Sequence, residues 1–296
     1  MRRQARRTCL YALALVALGG GALRLCASAQ PRSAPTPFPV TELEGRPCAP
    51  RTPPGEPVSL AFDVTVFRGP GVSDEELDAQ LAQLAAYYQP YGVRFFQRGP
   101  VTPLDIKWLL GGTRAEIDAA LRSAGIDPDT PPRPELARRA RRITCRTALA
   151  PLIAFLARHG DDEHDSALRL VVTRRLDAPG STAAGMLPHL RGLTVGRGAN
   201  ASPEVERCLG VTDQTPPTIL IALDEIAGRR PGTVDVTLAH EVGHALGLTH
   251  ADRRNDLMAV EPPTCVPALS AEQWATLTTY THHGQEIVQP SSRRRP

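Results

Sequence analysis

His240, Glu241, His244, Gly247, His250 and Met258 have the residue types and spacing to do metal chemistry. Side chains four apart on a helix share one face, so His240 and His244 would offer two imidazoles to one cation. Glu241 falls beside that line, where a carboxylate can hold a water instead of ligating. His250 cannot lie on the same helix, because at 1.5 Å per residue it would sit about 15 Å beyond His240. The chain has to turn back, and Gly247 can turn it because glycine enters the left-handed conformation without a side-chain penalty. Three imidazoles would then form an open tripod around one cation.

The run from His240 to His250, followed by Asn255-Asp256-Leu257-Met258, resembles the H-E-x-x-H-x-x-G-x-x-H motif and Met-turn of the metzincin clan of zinc metallopeptidases. The resemblance implies that His240, His244 and His250 hold one catalytic Zn2+. It makes Glu241 the general base, Gly247 the turn glycine and Met258 the Met-turn methionine. The short interval from His250 to Met258 resembles bacterial matrixin-like and pappalysin-like members. Some families place a tyrosine ligand two residues after the methionine; Val260 stands there in this chain. The fold implied is α+β, with a twisted mixed β-sheet, a zinc-binding active-site helix, a Met-turn and a C-terminal helix.

The elements that must position these residues can be read along the chain. Residues 58 to 67 are β-rich. Ser73 with Glu76 makes a capping box ahead of Leu77, Leu81, Leu84 and Tyr88 at helical spacing. Val93 to Phe96 reads as a second strand, and strand, helix, strand favours a parallel pair. Residues 106 to 110 read as a further short strand, and Thr113 with Glu116 caps another helix. Residues 125 to 165 read as an insertion, with a proline hinge, a helical stretch from Glu135 to Arg158, and a solvated acidic loop around 159 to 165. Residues 167 to 176, 192 to 196 and 218 to 223 are strand candidates, and one of the last two is expected at the sheet edge above the cleft. Asp224 and Glu225 read as a surface turn. Thr233 is expected to cap the zinc helix, with Asp235 favouring its positive end. Ser270 with Gln273 opens the last helix, and His282 and His283 read as helix-end groups.

The start of the chain reads as an export signal: Arg2, Arg3, Arg6 and Arg7, then an apolar run from Cys9 to Leu18, then Ala27-Ser28-Ala29. That run is too short to span a bilayer. Residues 1–29 are therefore assigned as a signal peptide and 30–57 as a proline-rich segment without hydrophobic periodicity, expected outside the core and able to act as a short pro-segment. Residues 58–288 form the catalytic domain, with 247–288 its lower subdomain, and 289–296 a tail. Without the five arginines of residues 1–29 the formal charge of +3 becomes −2, so basicity does not argue for nucleic-acid binding. The arginines at 138 to 142 read as a solvated helix face.

The four cysteines that follow the signal, Cys48, Cys145, Cys208 and Cys265, are an even set suited to two disulfides in an oxidising compartment. Three pairings are open, and Cys208 with Cys265 is preferred because the two bracket the zinc motif. Cys48 has a second reading: Arg46-Pro47-Cys48 resembles the cysteine latch of some metzincin zymogens, though Ala49 replaces the glycine that follows it there. The function expected is an exported, secreted or periplasmic zinc endopeptidase. It would act on protein or peptide substrates by zinc-activated water, with no nucleic-acid partner and no stable membrane span. A non-proteolytic binding or adhesion protein with a structural zinc site, or a zinc amidase acting on a non-protein substrate, are the alternatives.

Overall fold

The computed structural model describes residues 35–54, 59–159, 168–177, 191–196, 208–209, 215–227 and 231–280. The expected signal peptide, the acidic loop beyond His159 (which itself closes a helix), His282, His283 and the tail lie outside them.

Alternation along the strands builds a sheet with two apolar faces. Strand β2 (Leu60–Arg68) directs Leu60, Phe62, Val64 and Val66 to one side and Phe67 to the other. Strands β5 (Leu168–Thr173) and β7 (Thr218–Ala222) are buried throughout, as expected of parallel strands covered on both faces. With β1 (Thr36–Pro37), β3 (Val93–Gln97), β4 (Thr102–Pro103) and β6 (Gly192–Val195), the order is β1-β3-β2-β5-β7-β6, and β4 also pairs with β2. Strands β2, β3, β5 and β7 run parallel, whereas β6 is antiparallel to β7 and ends the sheet among the described residues. The expected parallel pair is thus β2 and β3, joined through helix α1 (Asp74–Tyr88), whose Ser73–Glu76 capping box forms as expected.

One face of the sheet carries α1, α6 (Thr237–Ala245) and α7 (Ala271–Tyr280). The opposite face carries α2 (Arg114–Ser123), α3 (Pro134–Ala148) and α4 (Ala150–His159). The helical stretch expected from Glu135 to Arg158 is thus two helices, which bury Cys145, Leu152 and Phe155 against the sheet. The arginines of α3 stay exposed, as expected. Helix α5 (Leu223–Ala227) takes up Asp224 and Glu225, which were expected in a turn. Among the described residues no helix is long and apolar enough to cross a membrane.

Other expectations need correction. Residues 106 to 110 are irregular and make only an isolated bridge, Leu110 to Asp177. The proline-rich segment is not outside the core: Thr36–Pro37 pairs with β3, and Phe38 is buried against Phe95. An unpaired strand edge and an aromatic partner recruit it despite its composition. Arg51 of the same segment donates to the carbonyls of Ala86 and Tyr87 and covers the Tyr87 ring, satisfying the end of α1.

The preferred cysteine pairing is also corrected. Cys48 bonds Cys265 and Cys145 bonds Cys208. Cys48 reaches Cys265 because Arg46 and Cys48 exchange backbone hydrogen bonds with Val266, while Cys145 projects from α3 toward Cys208. In the disulfide form Cys48 has no thiolate to offer as a latch.

Candidate metal centre

Helix α6 is anchored before it presents anything. Val236, Leu238, Ala239, Val242, Ala245 and Leu246 are buried in the core, and the Tyr88 hydroxyl donates to the Ala239 carbonyl at 3.0 Å. Thr233 does not cap it, contrary to expectation. The helix begins at Thr237, whose N–H donates to the Asp235 carboxylate at 3.0 Å, while the Val234 N–H is drawn to Pro263. Gly247 ends it as expected: with φ at 88°, its N–H reaches the His244 carbonyl and the Leu248 N–H reaches that of Gly243. This is a Schellman ending, and it needs the left-handed conformation at Gly247.

The turn returns His250 to the two helical histidines. One nitrogen from each of His240, His244 and His250 lies within 4.8 Å of the other two. His240 donates from Nδ1 to the Leu257 carbonyl at 2.7 Å, and His244 from Nδ1 to the Leu248 carbonyl at 2.9 Å. These bonds leave each Nε2 as a lone-pair donor. Nε2 of His244 lies 3.1 Å from Nε2 of His250. Tetrahedral zinc with bonds of about 2.0 to 2.1 Å sets ligand nitrogens about 3.3 Å apart, so this donor set fits the ion. Burial lowers His240 to about 4, against the bond to Leu257 and helped by His250. Burial, then the neighbouring His240, lowers His244 to about 4 as well. Both are neutral at pH 7, the form that binds metal.

Glu241 points toward the edge strand. Leu193 and Val195 of β6 pack on the far side of the sheet, so Gly192 and Thr194 face α6 by the two-residue period. The Thr194 hydroxyl lies 2.7 Å from Glu241 Oε2 and 2.9 Å from the Glu241 carbonyl. A Cβ added at Gly192 would come 2.4 Å from Glu241 Cγ and 2.7 Å from Oε1. Burial raises the Glu241 carboxyl to about 7, and the Thr194 hydrogen bond opposes that rise. The residue types in the metal motif say nothing of either neighbour. Their only trace in the sequence is small and polar residues alternating with apolar ones along an edge strand.

Met258 is fully buried beneath the helix, and Asp256 supports its turn by accepting from the Met258 N–H at 2.8 Å and from Gln273 at 2.6 Å. Gln273 also makes the expected capping box with Ser270. Tyr87 donates to Pro267, and Leu269 donates to the Tyr91 hydroxyl, fastening the following loop to α1. Val260, where a tyrosine ligand would stand, is 77% exposed.

No family model matches the sequence, and no curated protein does. Among solved structures, the chain is similar to metalloproteinase-II from Bacteroides fragilis, with a TM-score of 0.42 and 14% identity over 83% of this chain and 57% of that one. The chain thus spans less than two thirds of that protein's length.

Proposed function

We propose that the chain is an exported zinc endopeptidase of the metzincin type, with His240, His244 and His250 as ligands and Glu241 as general base. The convergence of three imidazole nitrogens within 4.8 Å carries this reading. The Schellman turn at Gly247 and the buried Met258 below α6 support the metzincin assignment. Two disulfides suit an oxidising compartment.

Zinc held by the three histidines supplies Lewis acidity toward a water and a peptide carbonyl. The chain's own part is proton handling. Thr194 engages Oε2 of Glu241, leaving Oε1 to take a proton from the attacking water. Glu241 then delivers that proton to the departing amine as the carbon–nitrogen bond breaks, so one water is consumed per bond cut. Neutral His240 and His244, oriented by the Leu257 and Leu248 carbonyls, keep their Nε2 atoms directed at one point. The outer edge of β6 offers main-chain pairing to an extended peptide.

Incubating the purified chain with a peptide library tests the reading. Cleavage should stop on chelation, return with zinc, and be absent in Glu241→Ala while zinc remains bound. Zinc binding without any peptide cleavage would favour a structural site, and cleavage restricted to non-peptide amides would favour an amidase.

A further inference from the structure

Glu241 is held by one acceptor contact and one steric boundary, and both come from β6. Thr194 and Gly192 are two residues apart on the strand and therefore project to the same side. The Thr194 hydroxyl reaches Oε2 of the carboxylate, while the bare Cα of Gly192 leaves the space that Cγ, Cδ and Oε1 occupy. Any side chain at position 192 would force Glu241 from its rotamer. We propose that Thr194 and Gly192 are positioning residues for Glu241, fixing the direction in which its free carboxylate oxygen faces the metal centre; this rests on the proposed peptidase function.

The hydroxyl suits that task for a chemical reason. Its oxygen lies within hydrogen-bond distance of both the Glu241 carbonyl, at 2.9 Å, and Oε2, at 2.7 Å. It can donate its hydrogen to Oε2 when the carboxylate is ionised. When Oε1 carries the proton, Oε2 is the carbonyl oxygen of the acid and still accepts from the same hydroxyl. The carboxyl group therefore keeps a partner before and after it takes a proton, and need not swing away between the two states. A valine at 194 has the same shape and can do neither.

The test uses the full zinc-loaded chain and reads kcat, KM, zinc content and the calorimetric affinity for acetohydroxamate, whose hydroxyl donates to a carboxylate beside the metal. Thr194→Val should lower kcat by about 10- to 100-fold with KM nearly unchanged and zinc retained, and should weaken acetohydroxamate by a similar factor. Thr194→Ser, which restores the hydroxyl, should recover most of both. Gly192→Ala should reproduce the Val phenotype from the opposite side. In a Glu241→Ala background, Thr194→Val should leave acetohydroxamate affinity unchanged, because no carboxylate remains to be oriented. Should Thr194→Val prove unstable, Thr194→Ala and Gly192→Ala carry the same comparison.

Wild-type kcat and acetohydroxamate affinity in folded Thr194→Val and Gly192→Ala would overturn the proposal. An unmodified chain that binds zinc and acetohydroxamate yet cleaves no peptide would overturn the peptidase reading alone, and the acetohydroxamate series would still decide the role of Thr194. An unmodified chain that binds no zinc would overturn both.

Discussion

Met258 lays its sulfur against the bare Cα of Gly243, so closely that a Cβ built there would come 2.7 Å from Sδ. Gly243 lies between His240 and His244 on α6, so this contact seats the helix on the turn whose Leu257 carbonyl orients His240. Gly243→Ala should gain about 1 kcal/mol in helix propensity. It should lose about 1 to 3 kcal/mol to overpacking against a fully buried methionine. The net expectation is a lower unfolding temperature together with weaker zinc retention, measured by thermal unfolding and by metal content after dialysis. A variant that is more stable and fully zinc-loaded would show that Met258 has room to yield.

Asp256 extends that support to the last helix. Its Oδ1 accepts from the Met258 N–H and from Gln273, so Asp256→Ala leaves two donors in part-buried positions without their partner. The cost should be about 1 to 3 kcal/mol. Because Leu257 sits inside the same turn, zinc affinity should fall as well, although Asp256 contributes no ligand. Chelator competition reads the second effect, and unchanged affinity beside a clear loss of stability would separate the turn from the metal centre.

The pH dependence of the metal-free protein follows from the buried groups of α6. A carboxyl raised to about 7, as Glu241 is, keeps a proton that the unfolded chain releases near 4.5. Its contribution is full below the unfolded value and is lost as pH rises through about 7. His240 and His244, lowered to about 4, run the other way: their contribution is present above 6.5 and is lost as pH falls through about 4. Two histidines oppose one carboxyl, so chelated protein should grow more stable between pH 4.5 and 6.5. Glu241→Gln removes the opposing group. Its benefit to the chelated protein should be larger at pH 8 than at pH 4 by on the order of 3 kcal/mol, checked by urea unfolding at both pH values. An equal effect at both would place the carboxyl's titration outside this window.

The parts of the fold legible in the sequence were those written locally. Ser73 with Glu76, Thr113 with Glu116, and Ser270 with Gln273 form the expected capping boxes because each needs only neighbours three residues apart. Gly247 was legible for the same reason. Thr233 misled because the pull of Pro263 on Val234 is a long-range contact. Thr194 reaches Glu241 across 47 positions, and only the placement of β6 at the sheet edge joins them. Phe38 was hidden by the prolines around it, since its burial depends on the free side of β3 and on the Phe95 ring.

The cysteine pairing is the case where distance in sequence misled most, and it carries its own prediction. Cys48 and Cys265 are 217 residues apart, so their bond closes most of the domain into one loop and encloses the Cys145–Cys208 bond. In the chain-entropy account a loop of that length stabilises the fold by about 5 kcal/mol. Cys48→Ser with Cys265→Ser should cost that much in urea unfolding and should loosen the pairing of Arg46 and Cys48 with Val266, seen as faster amide exchange at position 48 and at Val266. A cysteine latch predicts a different outcome, because removing Cys48 would then raise peptidase activity. With Cys48 tied to Cys265, activity should hold or fall. Peptide mapping without reduction decides the connectivity itself: a fragment joining Cys208 to Cys265 would overturn the pairing and reopen the latch.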